Sequence, residues 1–199
     1  MTFFPGGSEI ATYNRSIRIS AVAPEDTEKL EARDALSEHG RIAVSPNGKL
    51  VATGADDRPL RLWQLAKRSS EVLMEWRGGL NVLAFAPNEG TLAAAGDDGV
   101  VRVWDLRSQT RRELRGHGDT IDYGGLAFSP DSGQLASGSR DKTVRIWNLE
   151  TGEAQALNGH ESWVARVVYS PDGKLLASAS HALKHDSGAK PDKDVRVWD

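Results

Sequence analysis

An internal repeat of about 41 to 43 residues constrains this chain more than any other feature of its sequence. Each copy begins with a Ser-Pro or Ala-Pro pair and carries a tryptophan near its end, and the copies span residues 44–65, 85–106, 128–149 and 169–199. The prolines are Pro46, Pro87, Pro130 and Pro171, and the tryptophans are Trp63, Trp104, Trp147 and Trp198. The distance from proline to tryptophan is 17 residues in three copies and 27 in the last, which predicts a ten-residue insertion within 181–191.

A weaker copy lies upstream of these four. Residues 14–20 align with residues 141–147, and Ser20 stands where the tryptophan is expected. The chain therefore opens partway through a unit, and we expect this unit to lack its opening strand. Residues 25–36 fit either a helix or a charged outer strand with its loops, and the spacing from Ser20 to the next proline favours the strand.

Within each copy the pattern is that of short β-strands. Segments such as VRVW and VRIW alternate apolar and polar residues with a period of two. Turn sequences such as SPDG separate them, because proline fixes φ and glycine supplies a positive φ. Short strands separated by such turns predict an antiparallel all-β fold.

Composition narrows the class of protein. A length of 199 residues suits one domain or two small ones. The chain contains no cysteine, which excludes disulfides, a thiol nucleophile and a Cys-ligated metal site. Its formal net charge of −3 argues against nucleic acid or an anionic membrane as the default partner. The sequence has neither the run of about 18 apolar residues that a membrane helix needs nor a basic leader at its start, so we expect a soluble, cytoplasmic protein with no membrane partner.

The repeat length, the SPDG turn, the Gly-His pairs at 116–117 and 159–160, and the Trp-Asp pairs at 104–105 and 198–199 resemble the WD40 family. The resemblance implies a β-propeller of four-stranded antiparallel blades around a central channel. The chain holds about four and a half blades, so we expect an incomplete propeller, fused to or continuous with a longer chain. As a single domain, 1–199, it divides into a partial blade at 1–36 and units one to four at about 37–78, 79–116, 117–159 and 160–199.

Members of this family carry a hydrogen-bonded set in each blade, formed by a histidine, a serine or threonine, a turn aspartate and the tryptophan. Such a set is physically reasonable because a buried imidazole, carboxylate and indole N–H each need partners. The resemblance assigns this structural role to Thr53, Asp57 and Trp63 in unit one, Asp98 and Trp104 in unit two, His117, Ser137, Asp141 and Trp147 in unit three, and His160, Ser178, Asp192 and Trp198 in unit four. Unit one has no histidine at the expected place. In unit two Ala94 replaces the serine and Trp76 stands at the histidine position, so we expect an apolar plug there.

A serine, a histidine and an aspartate within one repeat also suggest a hydrolase triad. The same residue types recur from unit to unit, which favours a role in holding the fold, and the sequence has no nucleotide-binding or protease motif. The insertion adds His181, His185, Asp186 and Asp194, so a metal-dependent hydrolase using the loop 181–194 is an alternative. Its glycine, proline and lysine residues favour a solvated loop, and we expect no enzyme activity, no bound metal and no cofactor.

A cluster of four arginines ends unit two and enters its outer strand: Arg107, Arg111, Arg112 and Arg115. It fits either a phosphate-binding patch or an outer strand that charge protects from pairing with other chains. The absence of interleaved aromatic residues favours the second interpretation, so we do not expect nucleic acid as a partner.

Trp163 is the best candidate for a binding anchor, because the resemblance places it at the rim of the channel and aromatic residues are frequent anchors of interfaces. Packing between blades is the alternative role for its ring. The resemblance implies that the same face also carries Arg140, Asp119, Asp56 and Asp97. We therefore expect a non-catalytic scaffold that binds a protein or peptide through the loops of one face. The alternative, by analogy of fold alone, is the sensor or regulatory part of a larger signalling protein.

Overall fold

A computed structural model describes residues 2–3, 9–13, 17–21, 27–30, 40–181 and 194–199. Side chains are described from residue 40 onward within these ranges. The regular secondary structure of the described residues is β-strand, apart from a single 3-10 turn at Leu65–Lys67. The prediction of an all-β fold is therefore confirmed.

The described strands form five antiparallel sheets. The upstream sheet comprises β1 (Thr2–Phe3), β2 (Glu9–Tyr13), β3 (Ile17–Ala21) and β4 (Thr27–Leu30). Unit one comprises β5 (Arg41–Val44), β6 (Leu50–Gly54), β7 (Pro59–Gln64) and β8 (Ser69–Glu75). Unit two comprises β9 (Leu80–Phe85), β10 (Thr91–Gly96), β11 (Val101–Asp105) and β12 (Thr110–Leu114). Unit three comprises β13 (Leu126–Phe128), β14 (Gln134–Gly138), β15 (Val144–Asn148) and β16 (Ala154–Leu157). Unit four comprises β17 (Trp163–Tyr169), β18 (Leu176–His181) and β19 (Val195–Trp198).

The strands of each sheet pair in chain order, and the first strand of one sheet lies beside the first strand of the next. Thus β5 contacts β9, β9 contacts β13, and β13 contacts β17. The first strands therefore surround a common centre, and the fourth strands lie outermost. This arrangement is an incomplete β-propeller of antiparallel blades, as the sequence predicted.

The upstream unit differs from the sequence expectation of a partial blade without an opening strand. The two-residue strand β1 pairs with Ile10 and Ala11 of β2, so the backbone of this sheet has four strands. A strand of two residues carries no period of its own, which is why the sequence pattern missed it. The outer strand favoured for residues 25–36 is β4, which pairs with β3, whereas residues 31–36 lie outside the described part.

The core lies between successive sheets, because each sheet places one apolar face against its neighbour. Between units two and three, Val101 and Val103 of β11 pack with Leu135 and with Trp147, which is only 2% exposed. Comparable clusters join units one and two, and units three and four. Burying an aromatic ring of this size contributes strongly to stability, so the tryptophan repeat specifies the stacking of blades.

Unit four has one face that no described sheet covers. Val195 of β19 is 68% exposed, whereas Val144 at the matching place in unit three is 0% exposed because β17 packs against it. The difference between the two valines comes from the neighbouring blade, since the strand pattern is the same. Within the described residues, no helix is long and apolar enough to span a membrane.

Candidate partner-binding face

Unit three brings its four predicted network residues into direct contact. His117 Nδ1 lies 2.8 Å from Asp141 Oδ2, and His117 Nε2 lies 2.7 Å from Ser137 Oγ. The indole Nε1 of Trp147 donates to the same Ser137 oxygen at 2.7 Å. With the imidazole proton on Nδ1, the serine hydroxyl donates to Nε2 and accepts from the indole, so every polar group has a partner.

The electrostatics of this network keep His117 neutral and Asp141 charged. Burial lowers the pKa of His117, although its hydrogen bond to Asp141 opposes the shift. Burial by itself raises the pKa of Asp141, but hydrogen bonds from the Gly118 N–H and from Thr143 outweigh it and leave that pKa lowered. The carboxylate thereby ties the turn after β14 to the segment that precedes β13, the inner strand of the same unit.

Unit four repeats part of this geometry. His160 Nε2 lies 2.7 Å from Ser178 Oγ, and Trp198 Nε1 donates to that oxygen at 2.9 Å. The fourth predicted member, Asp192, lies outside the described residues. The edge-to-face arrangement of histidine and tryptophan rings is also shared, with ring centroids 6.3 Å apart in both units.

Unit one repeats the bond between its tryptophan and the hydroxyl of the second strand. Trp63 Nε1 donates to Thr53 Oγ1 at 2.8 Å, so the threonine hydroxyl satisfies the buried indole. Asp57 occupies the following turn with a φ of 53° and accepts a hydrogen bond from the N–H of Gly78 at 2.9 Å. The aspartate therefore still links its turn to the segment that leads into unit two.

In unit two, a packed cluster around a buried tryptophan replaces the polar network. Trp76 is buried and packs with Ala94 and Trp104, which agrees with the apolar plug that the sequence suggested. A charged pair, which the sequence did not suggest, lies against this plug. Arg102 places its guanidinium carbon 4.8 Å from the centroid of the Trp76 ring, and its Nη2 lies 2.7 Å from Asp98 Oδ2. Here the turn aspartate binds an arginine instead of a histidine.

The first strand of every blade begins beside the turn that joins the second and third strands. In unit one, for example, Arg41 pairs with Gly54, which directly precedes the turn at 55–58. These turns and strand beginnings share one end of the propeller, which we call the turn face; it comprises 55–58, 97–100, 119–125, 139–143 and the beginnings of β5, β9 and β17. The opposite end, which we call the proline face, carries the Ser-Pro and Ala-Pro turns at 45–48, 86–90, 129–133 and 170–173.

All five residues proposed from the sequence as partner-binding lie on the turn face: Asp56, Asp97, Asp119, Arg140 and Trp163. Arg140 of unit three stacks on Trp163 of unit four, with its guanidinium carbon 4.4 Å from the ring centroid. Asp122 holds that guanidinium through two hydrogen bonds of 2.8 and 2.9 Å, which raise the pKa of Arg140. The half-buried Trp163 ring thus contacts a neighbouring blade on one side, as the packing alternative required, and stays partly open to solvent.

Sequence reasoning missed Asp122 and Tyr123, the two most informative residues of this face. Tyr123 is 63% exposed, and the guanidinium carbon of Arg41 lies 4.2 Å from the centroid of its ring. Arg41 Nε also donates to the carbonyl oxygen of Asn81 at 2.8 Å. The signal was present in the sequence, since Pro130 follows His117 by 13 positions, whereas Pro171 follows the matching His160 by 11.

The remaining acidic residues of the turn face support its backbone and leave it negatively charged. Asp56 Oδ1 accepts the Leu80 N–H at 3.0 Å, and Asp97 Oδ1 accepts from the side-chain amide of Asn81 at 2.9 Å. Asp119 is exposed, and its Oδ1 accepts the N–H of the next residue at 2.7 Å. The charges of Asp119 and Asp97 also help to raise the pKa of Arg140.

The insertion of unit four is described only at its ends, where His181 and Asp194 are both exposed. His185, Asp186 and Asp192 lie outside the described residues. Across the part of the chain that is described, no group of three or more histidine, cysteine or acidic residues is arranged to hold a metal ion.

Three of the four clustered arginines of unit two contact protein groups, and one of them, Arg112, reaches the neighbouring blade. Arg112 Nη1 donates to the carbonyl oxygen of Leu149 in unit three at 2.8 Å, and Arg115 Nη2 pairs with Glu113 at 2.5 Å. Arg107 Nη2 lies 3.4 Å from the carbonyl oxygen of Asn88. These contacts fit an outer strand that holds its neighbour better than a surface that collects phosphate groups.

Comparison with family models finds the WD domain, G-beta repeat, at residues 33–64, 70–105, 108–148 and 153–199. The first matched segment takes in β5 to β7, and each later one runs from the outer strand of one blade through the first three strands of the next, so the repeat and the blade are offset by one strand. No curated protein sequence matches the chain.

Proposed function

Since this chain belongs to the WD40-repeat family, whose repeats commonly serve as protein-interaction scaffolds, we propose that it binds a protein or peptide partner through its turn face and catalyses no reaction. The observation that carries the proposal is the grouping of two arginine–aromatic pairs on that face. Arg140 lies against Trp163, and Arg41 lies against Tyr123. Tryptophan, tyrosine and arginine are the residues most enriched among the energetic anchors of protein interfaces.

The frame under these side chains supports binding without reorganisation. His117 and the Gly118 N–H bond Asp141 in the turn that carries Arg140, and the two bonds to Asp122 fix the Arg140 guanidinium. A side chain that is already held in place loses little conformational entropy when a partner arrives. Binding would then depend on shape and hydrogen-bond complementarity around a few anchors.

The proline face is the weaker candidate because its turns, at 45–48, 86–90, 129–133 and 170–173, contain neither arginine nor an aromatic residue. Its acidic groups bind within their own turns. Asp131 Oδ1 accepts from Ser129 Oγ at 2.6 Å and from the Gly133 N–H at 2.9 Å, and the hydrogen bond from Ser129 lowers the pKa of Asp131. Asp172 has the same relation to Ser170, also at 2.6 Å. The carboxylates of the turn face are hydrogen-bonded as well, so the arginine–aromatic pairs are what distinguish the two faces.

Burial supports the non-catalytic part of the proposal. Ser137 is 0% exposed, and its oxygen is occupied by the histidine and tryptophan of the same blade. A nucleophile must reach a substrate carbonyl while its base remains within hydrogen-bond distance, and a fully enclosed hydroxyl does not meet that requirement. The repetition of the set in unit four fits a structural role better than a single active site.

The proposal can be tested by photo-crosslinking in cells that produce the chain. A photoreactive amino acid replaces Asp119 on the turn face in one variant and Glu150, an exposed residue at the opposite end, in a matched control. We expect a discrete adduct with a second protein from the first position and none from the second. Adducts from position 150 alone, or from neither position, would overturn the proposal.

A further inference from the structure

We propose that the partner contributes a positively charged peptide segment, which lies across the mouth of the channel in contact with Tyr123. This inference rests on the proposed function, since it names the chemistry of the partner that the turn face receives. Its support is an exposed tyrosine and the charges that surround this residue.

Tyr123 owes its position to extra length in unit three. In unit two, two residues lie between Leu80 and Leu83 at the beginning of the inner strand. In unit three, four residues lie between the corresponding pair, Ile121 and Leu126. The additional residues carry Tyr123 out from the strand, which leaves its ring 63% exposed. A tyrosine that is presented to solvent in this way offers a large, rigid apolar surface with a polar tip.

Tyr123 also joins blades that are not neighbours. Its ring lies against Arg41 of unit one, and Arg41 bonds the carbonyl oxygen of Asn81 in unit two, which stands between them. Because the inner strands of the three units surround the channel, this contact crosses its mouth. A partner segment would therefore lie on the pair formed by Arg41 and Tyr123, and it would not insert deeply between the blades.

The charges around Tyr123 indicate the sign of the charge that the partner carries. The turn face carries more carboxylates than cations: seven aspartates, Asp56, Asp57, Asp97, Asp98, Asp119, Asp122 and Asp141, against four cations, Arg41, Arg58, Arg140 and Lys142. Asp122 already pairs with Arg140 through its two hydrogen bonds, and the excess of carboxylates, which includes the exposed Asp97 and Asp119, leaves this face with a net negative charge. Lysine or arginine side chains fit such a surface, because they pair with carboxylates and also lie favourably against an aromatic face. The same field repels phosphate, which disfavours nucleic acid or an anionic lipid surface as the occupant.

The test uses the full chain and two fluorescent dodecapeptides of alternating composition, one of lysine and serine and one of glutamate and serine. We expect the lysine peptide to bind at least about tenfold more tightly, measured by fluorescence anisotropy at low salt. Tyr123→Ala should weaken the lysine peptide about three- to fivefold, whereas Tyr123→Phe, which keeps the ring, should bind as the parent chain does.

A charge-matched pair of variants separates the turn face from general attraction. Asp119→Asn removes one negative charge from the turn face, and Glu150→Gln removes one from the opposite end. We expect the first to weaken the lysine peptide and to reduce its salt dependence, and the second to change neither.

Three results would overturn the inference: equal affinity for the two peptides, an unchanged affinity in Tyr123→Ala, or equal effects of the two charge-matched variants. Failure of the inference is distinguishable from failure of the proposed function. A crosslink from position 119 to a partner segment without basic residues would refute the inference and leave the proposed function standing. The absence of any crosslink from the turn face would refute the proposed function itself.

Discussion

The guanidinium carbon of Arg140 lies over the ring of Trp163, 4.4 Å from its centroid, although the two residues belong to different repeats. Asp122 fixes the arginine from its own blade. The pair therefore does two things at once: it holds unit four to unit three, and it exposes an anchored cation and an aromatic edge on the turn face.

A double-mutant cycle measures the first of these roles. We expect Arg140→Ala and Trp163→Ala to show a coupling energy of about 0.5–1 kcal/mol, which is the usual value for a partly exposed cation–aromatic contact. Urea unfolding of the parent, the two single variants and the double variant gives the four free energies. Strictly additive effects would mean that the stacking contributes nothing to the junction between the two blades.

The tryptophan repeat should dominate stability. Trp147→Ala removes a ring that is almost fully buried between units two and three, and we expect it to lower the free energy of unfolding by about 3–5 kcal/mol. His181→Ala, at an exposed position where the insertion begins, should change it by less than about 0.5 kcal/mol. Chemical denaturation of both variants provides the comparison, and similar losses would contradict the placement of one or both residues.

The serine at the centre of the unit three network should matter more than its size implies. Ser137→Ala leaves the indole N–H of Trp147 and one nitrogen of His117 without their bonds in a buried place. We expect a loss of about 1–3 kcal/mol in the free energy of unfolding. Ser108→Ala, an exposed serine in the turn before β12, is the matched control and should be nearly neutral. Loss of less than a few tenths of a kcal/mol in Ser137→Ala would show that water replaces the missing hydroxyl.

Stability should also depend on the protonation of His117. Burial lowers its pKa below the ordinary value of 6.5, so the unfolded chain takes up the proton at a higher pH than the folded chain does. The free energy of unfolding should therefore decrease as the pH falls below about 6.5, and level off once the folded imidazole is protonated. Asp141, whose folded pKa is also lowered, adds a separate loss at more acidic pH, below its ordinary value of 3.8.

The variant His117→Gln isolates the histidine contribution, because glutamine keeps a hydrogen-bonding side chain that does not titrate. Its urea midpoints should vary less with pH in the weakly acidic range than those of the parent chain. A slope that persists in His117→Gln would assign the pH dependence to other groups.

Much of the architecture could be predicted because it repeats. The spacing of Pro130 and Trp147, and of their counterparts in the other units, marks where strands begin and end, so the blades follow from period and turn chemistry. Repetition also exposed the exception in unit two, where Trp76 stands at the histidine position. The charged pair of Arg102 and Asp98 beside that ring could not be predicted, because it depends on which way a long side chain folds over its neighbour.

The features of the binding face that were missed are those that do not repeat. Asp122 and Tyr123 belong to a local extension of two residues. A repeat is identified by the residues that its copies share, so an extension found in one copy adds nothing to the pattern. The contact between Arg41 and Tyr123 joins residues more than eighty positions apart, and only the closure of the blades around the channel brings them together. Binding residues often lie on local departures of this kind, because a repeated frame can carry a changed loop at little cost in stability.

Hydrogen–deuterium exchange of the full chain, with and without the partner captured by crosslinking, is the most direct test of binding through the turn face. We expect slower exchange at 119–125 and at 139–143 on the turn face when the partner is bound, with the proline-face turn at 129–133 unchanged. Protection at 129–133, with the turn face unchanged, would contradict it.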